Sequence, residues 1–199
     1  MRTVSEVLKF WFGELDEEGR TGPGVSKRWF QKNPDFDRQI QEEFLQTYET
    51  IANGGLKEWI ETPKGRLAYI IVVDQFSRNM FRDSPKMYAA DELALEVARA
   101  GVEAGEDKEL AFAERPFLYM PFMHSEDLGD QQKCVDLFKE FGDELEGEKK
   151  EQIAGNLKYA IQHLEIVERF GRFPHRNEIL GRESTPEETE FLTTPGSSF

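Results

Sequence analysis

Apolar residues along this chain recur at intervals of three and four, a period that predicts helices almost from end to end. Val4, Val7, Leu8 and Trp11 share one face of a helix over Val4 to Phe12, with Thr3 or Ser5 as its N-cap and Gly13 as its stop. Residues 14–26 are charged and glycine-rich and read as a loop that Trp29 and Phe30 pack back onto the body. Asn33-Pro34 joins a good cap to a good first helical residue, and Phe36, Ile40, Phe44, Tyr48 and Ile51 follow before Asn53-Gly54-Gly55 ends the helix. After a short turn at Leu56 to Ile60, Thr62-Pro63 opens a third helix running to about Phe81. Its stretch Leu67 to Val73 is apolar on every side, which marks a buried central helix.

Ser84-Pro85 opens a helix with core positions Tyr88, Leu93, Leu95 and Val97 that ends between Gly101 and Gly105. Glu114 to Phe122 is apolar and aromatic. Ser125 then reads as the cap of a helix reaching Phe141. The longest helix covers Glu148 to Phe170, with Ile153, Leu157, Ala160, Ile161, Leu164 and Val167 as its core stripe and Asn156, Tyr159, His163, Ile166 and Phe170 beside it. Ser184-Thr185-Pro186, with Glu188 behind, starts a short helix to Leu192, and residues 193–199 form a flexible tail. No stretch alternates over a strand's length. The expectation is therefore an all-α chain, about eight helices in antiparallel pairs, forming a single domain over residues 1–199 without a fixed repeat period.

Composition narrows the function classes. Against 25 basic residues stand 39 acidic ones, a net charge of −14, and such a field repels nucleic acid and anionic membranes, so neither is an expected partner. The longest apolar run, Leu67 to Val73, is too short to span a bilayer. The first residues carry Glu6 and Lys9 and lack a small-residue cleavage site, so they do not read as a signal peptide. A lone Cys134 on an amphipathic pattern reads as a core or boundary residue, and a cytoplasmic location fits.

Against the acidic background, Phe170 to Thr185 forms a basic knot. It carries Arg172, Arg176 and Arg182, with Arg169 just before, and sets His175 on a proline-fixed turn. Such a stretch either binds an anion or supplies arginines to carboxylates of neighbouring helices. Asp74, Arg78 and Arg82 lie one turn apart on one helix face. Two aligned guanidinium forks suit a carboxylate or phosphate, although service to the chain's own acids is the weightier reading of them. His124-Ser125-Glu126 joins an imidazole to a carboxylate at a helix start, either as an acid/base or ligand pair or as a capping sequence. His163, beside Tyr159 on an apolar face, reads as a hydrogen-bonded core residue. The three histidines match no local zinc pattern, and the chain has no phosphate-cradling loop, nucleophile elbow or CxxC pair, so no metal and no cofactor is assigned.

Four ordered motifs, FWFG at residues 10–13, DQFSRNMFR at 74–82, RPFLYMPFMHSE at 115–126 and GRFPHRNEILGREST at 171–185, resemble a widespread bacterial domain-of-unknown-function family with a TPR-like all-helical fold. The resemblance covers nearly the whole chain and implies a superhelix of helix pairs, without an established activity. It also implies that Asp74, Gln75, Arg78, Arg82, Arg115, His124, Glu126, His163, Arg172, His175, Arg176 and Arg182 form one polar cluster. Three functions follow as expectations. In the first, Arg78, Arg82, Arg115, His163, Arg172, His175, Arg176 and Arg182 line a pocket for a small anionic ligand or an acidic peptide. In the second, the protein is an enzyme in which His175 or His124 exchanges protons beside Asp74 or Glu126 while arginines stabilise negative charge, as in hydrolysis or phosphoryl transfer. In the third, the polar residues are structural and the protein is a scaffold for a protein partner. The sequence assigns no oligomeric state.

Overall fold

Helix starts follow their capping residues. α1 (Val4–Phe12) opens on a capping box in which Thr3 Oγ1 accepts from Glu6 N while Glu6 accepts from Thr3 N. α2 (Pro34–Ala52) opens on Asn33, whose Oδ1 accepts from the amides of Asp35 and Phe36. The computed structural model describes residues 1–197. Among the described residues the chain is all-α, and its β content is one isolated bridge between Leu15 and Thr21. The last two residues of the predicted flexible tail lie outside the described residues.

By its internal packing the chain divides into two compact units, residues 1–82 with 86–121 and residues 83–85 with 122–199. In the first unit, α3 (Pro63–Ile70) starts hard against the 3-10 turn Lys57–Glu61. Gly65 makes this approach possible, because a Cβ there would lie 2.1 Å from the Trp59 carbonyl oxygen. The predicted continuous helix to Phe81 is interrupted: Ile71–Phe76 widens into a π-helix before α4 (Ser77–Met80) resumes the α turn. The run Ile70 to Val73, where the π-helix begins, is β-branched throughout, side chains that crowd an α turn. Ser84-Pro85 leads only to a 3-10 turn, Pro85–Tyr88, and α5 (Asp91–Glu103) follows as a separate helix.

Aromatic rings knit this unit together. Phe44 stands 4.8 Å from Phe10 and 4.6 Å from Phe76, and Trp11 meets Phe76 at 5.5 Å and Phe117 at 5.8 Å. Trp29 joins them as expected, donating from Nε1 to the Trp11 carbonyl at 2.9 Å, but Phe30 is 70% exposed and does not anchor the loop. α6 (Arg115–His124) runs across the division between the units and carries Pro121 within it.

In the second unit α7 (Leu128–Asp143) and α8 (Gly147–Phe170) pack along one another, followed by α9 (Asn177–Leu180) and α10 (Pro186–Phe191). α7 is capped by Asp127, which accepts from Gly129 N and Asp130 N, and not by Ser125, whose hydroxyl bonds Asp130. The buried face of α8 is rotated from the predicted stripe. Ile153, Ala160, His163, Ile166 and Val167 are buried, whereas Leu157 and Leu164 are half-covered and Ile161 is 36% exposed. The period alone marks an apolar arc wider than a single neighbouring helix can cover. Cys134 is fully buried, and burial pushes its thiol well above the ordinary range.

Among the described residues no helix is long and apolar enough to cross a membrane.

Candidate functional site

The motif Asp74 to Arg82 delivers its charged groups to partners inside the first unit. Asp74, on the π-helical turn, is fully buried, and Arg78 Nη1 lies 3.0 Å from its carboxylate and 2.7 Å from its carbonyl oxygen. The same guanidinium grips Asp91 of α5 at 2.9 and 3.0 Å and faces the Tyr88 ring at 5.7 Å. Burial alone would weaken this cation, but the two aspartates outweigh it and hold the Arg78 pKa above its usual value. Arg82 is not a second cation awaiting an anion. Its Nε and Nη2 bond both oxygens of Asp37 on α2 at 2.8 and 2.9 Å, and Asn79 adds a third donor at 2.7 Å. Desolvation opposes the charge on Asp37, and these donors prevail and lower its pKa. Arg115 closes a buried triad, bonding the Tyr119 hydroxyl at 2.6 Å and Asp107 at 3.0 Å, while Tyr119 donates to Asp107 at 2.6 Å. Burial first, and the hydrogen bond to Asp107 second, raise the Tyr119 pKa.

The basic knot folds within the second unit. Arg172 makes a two-pronged bond to Glu188, 2.6 and 2.7 Å, and Thr185 supplies the amide of a capping box to the same carboxylate. These bonds, led by Arg172, hold Glu188 at a pKa of about 2. Arg182 grips Glu126 at 2.7 and 2.9 Å and the Phe173 carbonyl at 3.1 Å, and Phe173 N donates to Glu126 at 2.8 Å. One carboxylate thus ties the start of α7 to the turn after α8. That turn is possible because Gly171 ends α8 at φ +67°.

All three histidines sit around this clasp. His163 Nδ1 donates to the Tyr159 carbonyl at 2.8 Å, and its ring meets Phe173 edge-on at 5.5 Å. The His175 ring also lies near Phe173, 5.7 Å between centroids, and Arg176 covers the Phe173 ring at 4.6 Å while donating to the His124 carbonyl at 2.9 Å. Burial, reinforced by the neighbouring cation Arg176, lowers His163 to about 3 and His175 to about 4. Both imidazoles are therefore neutral at neutral pH. Among the described residues no group of three His, Cys, Asp or Glu side chains has the arrangement to hold a metal ion.

His124, Glu126, His163, Arg172, His175, Arg176 and Arg182 all belong to the second unit, and Asp74, Gln75, Arg78, Arg82 and Arg115 to the first. Sequence reasoning missed the acceptors Asp37, Asp91, Asp107 and Glu188. Of these only Glu188 had a local signal, in its capping box. It also missed Gln131, fully buried, whose Nε2 donates to the carbonyls of Met123 at 2.7 Å and Ser125 at 2.6 Å and so closes the end of α6. No local pattern around Gln131 announces that role.

No curated protein matches the chain. A solved structure described as a protein of unknown function, ATU0120, from Agrobacterium tumefaciens is similar, with 36% identity, a TM-score of 0.79 and 96% of each chain covered. Residues 7–196 match the profile of a family described as "Bacterial protein of unknown function (DUF924)". With its motifs, its helical fold and this match over nearly its whole length, the chain belongs to the DUF924 family.

Proposed function

We propose that this protein is a helical scaffold for a protein partner, and that its arginine-rich motifs lock the helices together rather than grip a ligand. One observation carries this reading. The guanidinium groups of Arg78, Arg82, Arg115, Arg172 and Arg182 all end on carboxylates of the same chain. A phosphate or carboxylate ligand at any of them would have to displace a charge-assisted bond already made, leaving a buried or half-buried acid behind. The same bonds weigh against the anion-pocket reading. The depressed histidine pKa values weigh against a proton-transfer role at neutral pH, where an acid/base group works best near the ambient pH.

The test is thermal unfolding of Arg172→Ala and Arg78→Ala without ligand, alongside the parent protein titrated with phosphate, nucleotides and dicarboxylates. Each substitution strands a buried carboxylate and should lower the melting temperature, and at Arg78, which sits between two aspartates, the loss should be about 3 kcal/mol. An Arg172→Ala protein that melts like the parent, yet loses a ligand-induced shift the parent shows, would overturn the reading in favour of an anion site.

A further inference from the structure

We propose that the outer face of α8 binds the same face of a second copy of this chain, antiparallel and about a two-fold axis, a pairing that rests on the scaffold reading and names its partner. A shallow groove on α8 is lined by Ala154, Leu157, Lys158, Ile161, Gln162 and Glu165. These positions recur every three or four residues and form one face. Along its centre Leu157 is half-covered and Ile161 is 36% exposed, with Tyr159 at 58% exposure alongside. The apolar period there is that of a packed helix, but among the described residues the groove is lined by α8 alone.

The charges on the face choose the occupant. Lys158 lies towards the N-terminal end and Glu165 two turns further on. A second α8 laid antiparallel, with the axis between Ile161 and Gln162, sets each Lys158 against the second copy's Glu165 and brings the two Ile161 side chains together. A parallel pair would set lysine against lysine. The surface of a chain carrying −14 would attract a basic partner broadly, whereas the Lys158 and Glu165 spacing on this face is complementary to itself. A contact one helix wide is small, so the dimer should have a dissociation constant of about 1–100 µM.

Sedimentation velocity on the full chain, from about 1 to 500 µM in 0.15 M salt so that long-range repulsion is screened, tests the pairing. The mass should rise towards twice that of one chain. Ile161→Glu should raise the dissociation constant at least about tenfold. Lys158→Glu and Glu165→Lys should each raise it about threefold, since each creates two like-charge pairs. The double reversal should return it to within about twofold of the parent, because every pair is then again opposite in charge. All these positions face solvent, so unchanged melting curves verify that each variant is folded. A chain that stays monomeric at the highest concentration overturns the pairing, as does a dimer indifferent to Ile161→Glu or a double reversal no better than the single ones. None of these outcomes touches the Arg172→Ala melting test, on which the scaffold reading stands separately.

Discussion

At the scale of residues, the informative feature is how the acids answer the arginines. Glu188 is 2% exposed and is held below the usual carboxylate range by Arg172, and Asp74 is fully buried with the Arg78 guanidinium against it. His163 and His175 follow the opposite logic, desolvation and the cation Arg176 together favouring the neutral ring. An unfolded histidine takes up its proton near its ordinary pKa of about 6.5, while folded His163 and His175 resist protonation down to about 3 and about 4. Below pH 6.5 the unfolded chain therefore binds more protons, and stability falls as the pH falls towards those values. Between pH 7 and 5 the loss from His163 alone should be about 2 kcal/mol, read as a drop in the urea midpoint. His163→Phe should remove about half of that dependence, His175 supplying the rest, and a parent protein equally stable at both pH values would show that the imidazoles are not desolvated. Below pH 4.5 the lowered pKa values of Glu126 and Glu188 add a second decline.

At the scale of elements, helix ends decide the architecture. Asn33, Thr62, Asp127 and Thr185 start helices with side-chain acceptors. The end of α6 is closed instead by Gln131, which lies on the following helix. Gln131→Met keeps the volume but removes the donor from the carbonyls of Met123 and Ser125. We expect a loss of about 2 kcal/mol in chemical denaturation. Thr185→Ala, which removes only one cap, should cost about 1 kcal/mol. If the two variants were equally stable, Gln131 would not be the closure that its geometry describes. The π-helical segment Ile71–Phe76 belongs to this scale as well, since the widened turn is where buried Asp74 meets Arg78.

At the scale of the whole molecule, 39 acids against 25 bases leave unpaired negative charge that repels itself. The deep pairs of Arg78 and Arg115 are poorly reached by ions, whereas the surface repulsion is screened within about 10 Å at 0.1 M salt. Raising sodium chloride from about 0.02 to 0.3 M should therefore raise the melting temperature by a few degrees. A fall in its place would mean that exposed ion pairs such as Arg2–Glu43 and Arg169–Glu187 contribute more than the net repulsion removes.

The sequence alone determined the all-α class, most helix starts and the membership of Trp11, Phe44, Ile40 and Ile51 in a core, because caps and the 3.6 period act over a few neighbouring residues. It also marked the residues whose charge mattered, since a run of arginines in an acidic chain stands out locally. Only the tertiary structure decided what those arginines meet. Arg82 bonds Asp37, Arg115 bonds Asp107 and Arg182 bonds Glu126, and pairings across 8 to 56 residues leave no periodic trace. It likewise decided which part of the apolar arc on α8 is covered. The period of a helix records that a face is apolar, while the number of neighbours packed against it determines how much of that face is left for another chain.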